Sequence, residues 1–265
     1  MPRAFALALL FLIASPFFVG PAMAGETLAY QGGDVMLEGY LARTAVKNAP
    51  LVLIVHQWKG LGAYEKSRAD MLAAAGYNAF AIDMYGKDVR PATAAEAGAQ
   101  AGRYKGDPAL ARQRLNAALN VARTFDGIDT SRIAIMGYCF GGTMALELAR
   151  SGADIDAAIS FHGGLGSKAP VTAPGIVKAS LLIHHGAADP NVPPAEVQGF
   201  IAEMNSAKAD WVLTQYAGAV HSFTDKSAGN DPATGAAYNE KADHRSWAAT
   251  LDFLAETLKT APATP

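Results

Sequence analysis

Six short apolar runs, each flanked by turn residues, alternate with helical patterns along most of the chain, and this alternation limits the fold more than any other feature. They are "LVLIVH" at 51–56, "NAFAID" at 78–83, "RIAIMG" at 132–137, "AAISFH" at 157–162, "SLLIHH" at 180–185 and "WVLTQY" at 211–216. Runs that are apolar on both faces suit the central strands of a parallel sheet, which is covered on both sides. Between them, Asp107-Pro108 reads as an N-cap followed by proline at the first helical position, with Leu115, Ala118, Leu119 and Ala122 at helical spacing. Trp247, Leu251, Leu254 and Leu258 make a similar stripe that would pack on a sheet face, and Gly76 closes an earlier helix as a left-handed residue. Upstream, "TLAYQ" and "VMLEGYLA" alternate more clearly and are separated by Gly-Gly-Asp, which predicts an antiparallel hairpin at the sheet edge. The expected fold is α/β, a mostly parallel doubly wound sheet of about seven to eight strands with an N-terminal antiparallel edge hairpin.

The first 24 residues stand apart from this pattern. Arg3 precedes an apolar run that ends in Ala22-Met23-Ala24, an A-x-A exit typical of a secretory signal peptide cleaved after Ala24. Pro16, Pro21 and the absence of basic residues after the run argue against a retained anchor. Residues 25–265 are then expected to form one secreted or periplasmic domain, ending in the Pro/Ala/Thr tail "TAPATP". Losing Arg3 takes the formal charge from -2 to -3. Such a balance, without clustered Lys and Arg, offers no footprint for nucleic acid or an anionic membrane, and a monomer with no stable membrane association is expected. A chain of this length buries roughly 70% of its unfolded surface and needs no disulfide. Its single cysteine, Cys139, cannot be half of an internal bridge, so it is inert and buried, intermolecular, or chemically used.

The string "GYCFGG" at 137–142 follows the strand run "RIAIM" directly and opens the helical run "TMALELAR". That is the context of a nucleophile elbow, with cysteine where most such enzymes carry serine. Glycines are needed because a strand turning sharply into a helix leaves no room for neighbouring Cβ atoms. The thiol stands at a helix N-terminus, where the partial positive charge favours thiolate. An elbow predicts an acid and then a histidine, each after a later strand. Asp189 in "HHGAADPNVP" and His221 in "YAGAVHSF" satisfy that order. His221 would take the thiol proton and return it to the leaving group, while Asp189 fixes the tautomer. The oxyanion donors would be the N–H of Phe140 and one from Gln57 or Trp58 in "HQWKGLGAYE". His162, His184 and His185 end strands at spacings that match no zinc motif, and His56 reads as a hydrogen-bonded support. Asp225, Asn230 and Asp231 lack calcium-loop spacing, so neither metal nor cofactor is expected.

With these residues in view, "LVLIVHQWKGL", "GYNAFAIDMYG", "IAIMGYCFGGTMALELA", "HHGAADPNVP" and "GAVHSFTD" resemble the dienelactone hydrolases, cysteine-dependent members of the α/β-hydrolase fold, in family order and spacing. The resemblance implies hydrolysis of small carboxylic esters or lactones by Cys139, His221 and Asp189, with Trp58 and Phe140 as oxyanion donors. Two positions depart from the family pattern. Its best-known members have a glutamate where this chain has Gln57, a carboxylate that meets the thiol at rest and takes its proton when substrate arrives. They also place a carboxylate-clasping arginine where this chain has Asp225, and Arg103, Arg112 and Arg114 remain unassigned to the second clasp. Muconate-type lactones are therefore poor candidates. Gln57, Tyr85 and Phe223, with Trp58 and Phe140, are expected to line a neutral, partly aromatic pocket, and the loop 224–238 is a candidate lid.

Two other classes of function are compatible with parts of this pattern. A low-pKa thiol in an oxidising compartment could act as a redox sensor, although no resolving cysteine exists to complete the cycle. A hydrolase scaffold could also be retained as a ligand-binding module, which the intact order of cysteine, acid and histidine opposes.

Overall fold

The computed structural model describes residues 25–259. The signal-peptide expectation at 1–24 and the tail at 260–265 lie outside them. Eight strands form one sheet in the order β1-β2-β4-β3-β5-β6-β7-β8. The hairpin is β1 (Glu26–Gln31) and β2 (Met36–Ala42), paired antiparallel with Gln31 opposite Met36, as the Gly-Gly-Asp turn predicted. The six apolar runs become β3 (Pro50–Val55), β4 (Asn78–Ile82), β5 (Asp129–Tyr138), β6 (Ala157–Phe161), β7 (Ser180–Gly186) and β8 (Trp211–Tyr216). All neighbours among these six pair in parallel, while β2 joins β4 antiparallel.

Successive residues of a strand point to opposite faces, so an all-apolar strand needs cover on both sides. Leu51, Leu53 and Val55 of β3 share a core with helices α2 (Ala94–Gly106), α3 (Pro108–Ala122), α4 (Phe140–Arg150) and α5 (Pro194–Ala207). Val52 and Ile54 face the other way, into a second core closed by α1 (Ala63–Ala74) and α6 (Glu240–Thr257). The stripe Trp247, Leu251, Leu254 and Leu258 lies in that second core. Asp107 caps α3, its Oδ1 accepting the Leu110 N–H at 3.0 Å.

Strand order decides where a site can form. The chain runs from β3 outward to β4 and then crosses back to β5 on the other side of β3. Loops leaving the carboxyl ends of β3 and β5 therefore diverge, opening a crevice between them. Trp58 follows β3 and Cys139 follows β5, so the fold delivers both to that crevice.

Leu254 is fully buried in the core beneath α6. Leu254→Ala is expected to cost about 2–5 kcal/mol of stability, read from urea unfolding, with the far-ultraviolet spectrum of the native state unchanged.

Candidate active site

Cys139 sits between β5 and α4 with φ 55 and ψ -117, a conformation costly for a residue with a side chain. The sharpness of this turn presses the first turn of α4 against the sheet. A Cβ on Gly137 would lie 2.1 Å from Gly141 O, and one on Gly141 would lie 2.2 Å from Val55 O. Both obstacles are backbone, so no side-chain adjustment relieves them. The thiol is partly exposed and faces a cavity of about 630 Å³.

Sulfur, imidazole and carboxylate follow in series. Cys139 Sγ lies 3.0 Å from His221 Nε2, and His221 Nδ1 donates to Asp189 Oδ2 at 2.8 Å. Asp189 is itself held by the Asn191 N–H, 2.8 Å from its Oδ1, in the turn after β7. Burial alone would lower the pKa of His221. The Asp189 carboxylate and the adjoining sulfur overcome this and raise it to about 10. The geometry of such a series allows a proton to pass between the thiol and the ring.

The loop after β3 distinguishes the two oxyanion candidates. Gln57 N–H donates to the Glu65 carboxylate at 3.0 Å and is not free for a substrate. Among the described residues no partner takes the N–H of Trp58 or Phe140, and both residues line the cavity beside Cys139.

The structure corrects the expected pocket lining. Gln57, Tyr85 and Phe223 do not line the cavity. Gln57 turns its amide toward Asp225, donating from Nε2 to Oδ2 at 2.8 Å, so the two positions that depart from the dienelactone hydrolase pattern bond to each other. Tyr85 is buried and donates to the Trp58 carbonyl at 3.0 Å, which steadies that loop from beneath. Phe223 is fully buried, edge-on to His162 with ring centroids 5.1 Å apart. Each ring is consumed by packing under the site.

The remaining wall was not anticipated. Gly98, Ala101, Gly102 and Lys105 of α2 face the cavity, together with Thr143, Asn191 and Val192. A capping box in the sequence, Thr93-x-x-Glu96, could have signalled the start of α2, where Thr93 Oγ1 accepts the Glu96 N–H at 3.2 Å. What the helix faces was not legible there. Lys105 brings a positive charge to the wall, whereas Arg112 and Arg114 pair with Glu147 and Asp34, and Arg103 lies over the Tyr104 ring. The segment after His221 is ordered by 3-10 turns at Lys226–Ala228 and Pro232–Thr234, and its Ala236 closes one side of the cavity.

Three further histidines are built in as supports. His56 is fully buried, accepts the Met84 N–H at 3.1 Å and packs on Phe140. His184 bonds Thr250 at 3.0 Å and Tyr216 at 2.9 Å, and burial lowers its pKa to about 3. His162 contacts the elbow itself. Among the described residues no group of His, Cys, Asp or Glu side chains could hold a metal ion.

A mostly parallel eight-stranded sheet with an elbow after β5, and an acid and a histidine after later strands, defines an α/β-hydrolase. Comparison with known proteins narrows the class. The model of the dienelactone hydrolase family matches residues 37–258, and the chain belongs to that family, a hydrolase of carboxylic esters or lactones. A carboxymethylenebutenolidase of Pseudomonas putida is 29% identical over 242 residues, covering 88% of this chain and 97% of the relative. The crystal structure of a dienelactone hydrolase-like promiscuous phosphotriesterase from metagenomic libraries is 36% identical, with a TM-score of 0.83 and coverage of 89% and 99%. An α/β-hydrolase from a deep-sea metagenome library of the Medee basin, 18% identical with a TM-score of 0.61 and coverage of 89% and 98%, shares the fold.

Two outcomes are expected from this geometry. Gly137→Ala forces a Cβ into the Gly141 carbonyl and should cost at least about 2 kcal/mol in urea unfolding. Because His221 titrates above its ordinary value of 6.5 when folded, it contributes stability that is complete below pH 6.5 and is lost as pH rises through about 10. Wild type should accordingly lose more stability than His221→Gln across that range. Parallel unfolding profiles for the two proteins would show that the ring gains no proton affinity on folding.

Proposed function

We propose that the protein cleaves small carboxylic esters or lactones through an acyl thioester on Cys139. The observation that carries this reading is the unbroken series from Sγ through the His221 ring to Asp189, at 3.0 and 2.8 Å, opening on the cavity. In the proposed cycle the sulfur attacks the acyl carbon, and the N–H groups of Phe140 and Trp58 receive the oxygen that becomes negative. Collapse of that intermediate expels the alcohol oxygen, which takes the proton from His221. His221 next accepts a proton from water as the hydroxide adds to the thioester. The carboxylic acid leaves, and the sulfur recovers its place beside the ring.

Gln57 shapes the resting state. An amide cannot accept the thiol proton, and this one is already committed to Asp225. His221 is then the sole base for Cys139, and its raised pKa suits a resting thiolate-imidazolium pair that forms without waiting for substrate. Asp225, where the family's classical members carry a cation, disfavours a substrate carboxylate on that side.

Turnover of p-nitrophenyl acetate should fall by at least about 1000-fold in both Cys139→Ala and His221→Ala, and intact-protein mass spectrometry should trap an acyl adduct on the wild type. Activity surviving in Cys139→Ala would end the proposal. Loss in Cys139→Ala alone, with His221→Ala unaffected, would favour a reactive thiol without hydrolytic machinery. The ultraviolet absorbance of the thiolate tests the resting pair: Gln57→Glu should move its titration to higher pH, and superimposable curves would refute the role given to Gln57. We also propose residues 1–24 as an export signal, so the mass of protein recovered outside the cytoplasm should begin at Gly25.

A further inference from the structure

His162 stands outside the series of Cys139, His221 and Asp189, yet it bonds to the backbone of the first and to the loop of the second. It follows β6 at the carboxyl edge of the sheet, fully buried and at φ 41. The Cys139 N–H donates both to Phe161 O at 3.0 Å and to His162 Nδ1 at 3.1 Å. A ring nitrogen that accepts a backbone N–H carries no proton. The proton therefore sits on Nε2, which donates to Thr224 Oγ1 at 2.8 Å.

Thr224 is the third residue after His221 and is itself buried. Its hydroxyl meets Tyr64 Oη at 2.7 Å. Its carbonyl accepts Arg68 Nη2 at 2.8 Å, and the same nitrogen holds Asp243 at 2.8 Å. Thr224 is thus anchored to α1 and α6, and His162 spans from that anchor to the elbow. Phe223 closes against the His162 ring edge-on, removing room for the ring to swing. Besides Cys139 and His162, Ser222 also has positive φ, at 55. Cys139 and Ser222 lie on the two segments that the His162 ring joins and His162 itself stands between them, and such conformations persist only where surrounding contacts determine them.

We propose that His162 is a positioning residue, one whose ring, bonded to the Cys139 N–H on one side and the Thr224 hydroxyl on the other, sets the separation between Cys139 Sγ and His221 Nε2. The ring suits this task because it does not compete for protons. Burial, the neighbouring His221 and the Arg68 charge hold its pKa well below the ordinary histidine value. Its Nδ1 consequently stays an acceptor while His221 gains and loses a proton at a centroid distance of 5.3 Å.

The inference rests on Cys139 as nucleophile, and the tests separate the two. His162→Asn tolerates positive φ and keeps an acceptor near the Cys139 N–H but does not reach Thr224. Thr224→Val keeps the side-chain shape and removes the hydroxyl. Each should lower kcat for p-nitrophenyl acetate by about 10- to 100-fold with KM unchanged. Each should also move the thiolate titration to higher pH, because the imidazole no longer meets the sulfur squarely. The double variant should be no slower than His162→Asn, since both changes break the same bond. Wild-type kcat and an unmoved titration in folded Thr224→Val would overturn the inference, even if His162→Asn failed to fold. Activity lost only in proportion to folded protein, with the titration unmoved, would overturn it too. An active Cys139→Ala removes the underlying reading, whereas an inactive Cys139→Ala beside fully active His162 and Thr224 variants removes this inference alone.

Discussion

The contact on which the site depends is between backbones: the first turn of α4 lies against the ends of β3 and β5 with no space for a side chain between them. Gly137 and Gly141 make this approach possible, and a Cβ on either would strike a carbonyl oxygen at 2.1 or 2.2 Å. Closing the elbow so tightly leaves Cys139 in a conformation with φ 55, and the sulfur is presented at the mouth of a cavity instead of entering the core. The strain is offset by the surrounding contacts, which include the sheet, the helix and the ring of His162. Any change that loosens these contacts should be felt first at the sulfur.

Environment divides the histidines into different jobs. His56, His162 and His184 are buried where desolvation lowers the pKa of each ring, and each uses its nitrogens as fixed donors and acceptors. His221 is also largely enclosed but faces a carboxylate on one nitrogen and a sulfur on the other, which carries its pKa the opposite way. One residue type therefore shifts its proton affinity in opposite directions according to its partners. The Gln57–Asp225 bond belongs to the same logic. Where the classical pattern has a carboxylate near the thiol and a cation after the histidine, this chain has an amide and a carboxylate bound to each other.

Much of the fold was legible because burial on both faces imposes apolar runs whose period and length can be read directly. The six central strands, the edge hairpin, the capped start of α3 and the stripe of α6 all match their sequence signals. The cavity wall was far less legible. Tyr85 and Phe223 carry the aromatic character expected of a pocket, yet both are fully used in packing under it. Lys105 and the small residues of α2 carry little signal of their own and face the cavity only because α2 packs beside α4. His162 looked like a strand end, and its hydrogen bonds to Cys139 and Thr224 join positions that are remote in the chain.

By itself the sequence determined the parallel α/β architecture, the elbow and the order of cysteine, acid and histidine. Each of these is a local demand: a strand needs apolar residues, a sharp turn needs glycine, and a helix start needs a cap. Tertiary structure alone decided the distances, the side toward which Gln57 and Tyr85 turn, and which charge reaches the cavity. Those outcomes depend on competition among side chains for the same space and the same hydrogen-bond partners, and that competition begins only when the sheet and helices have packed.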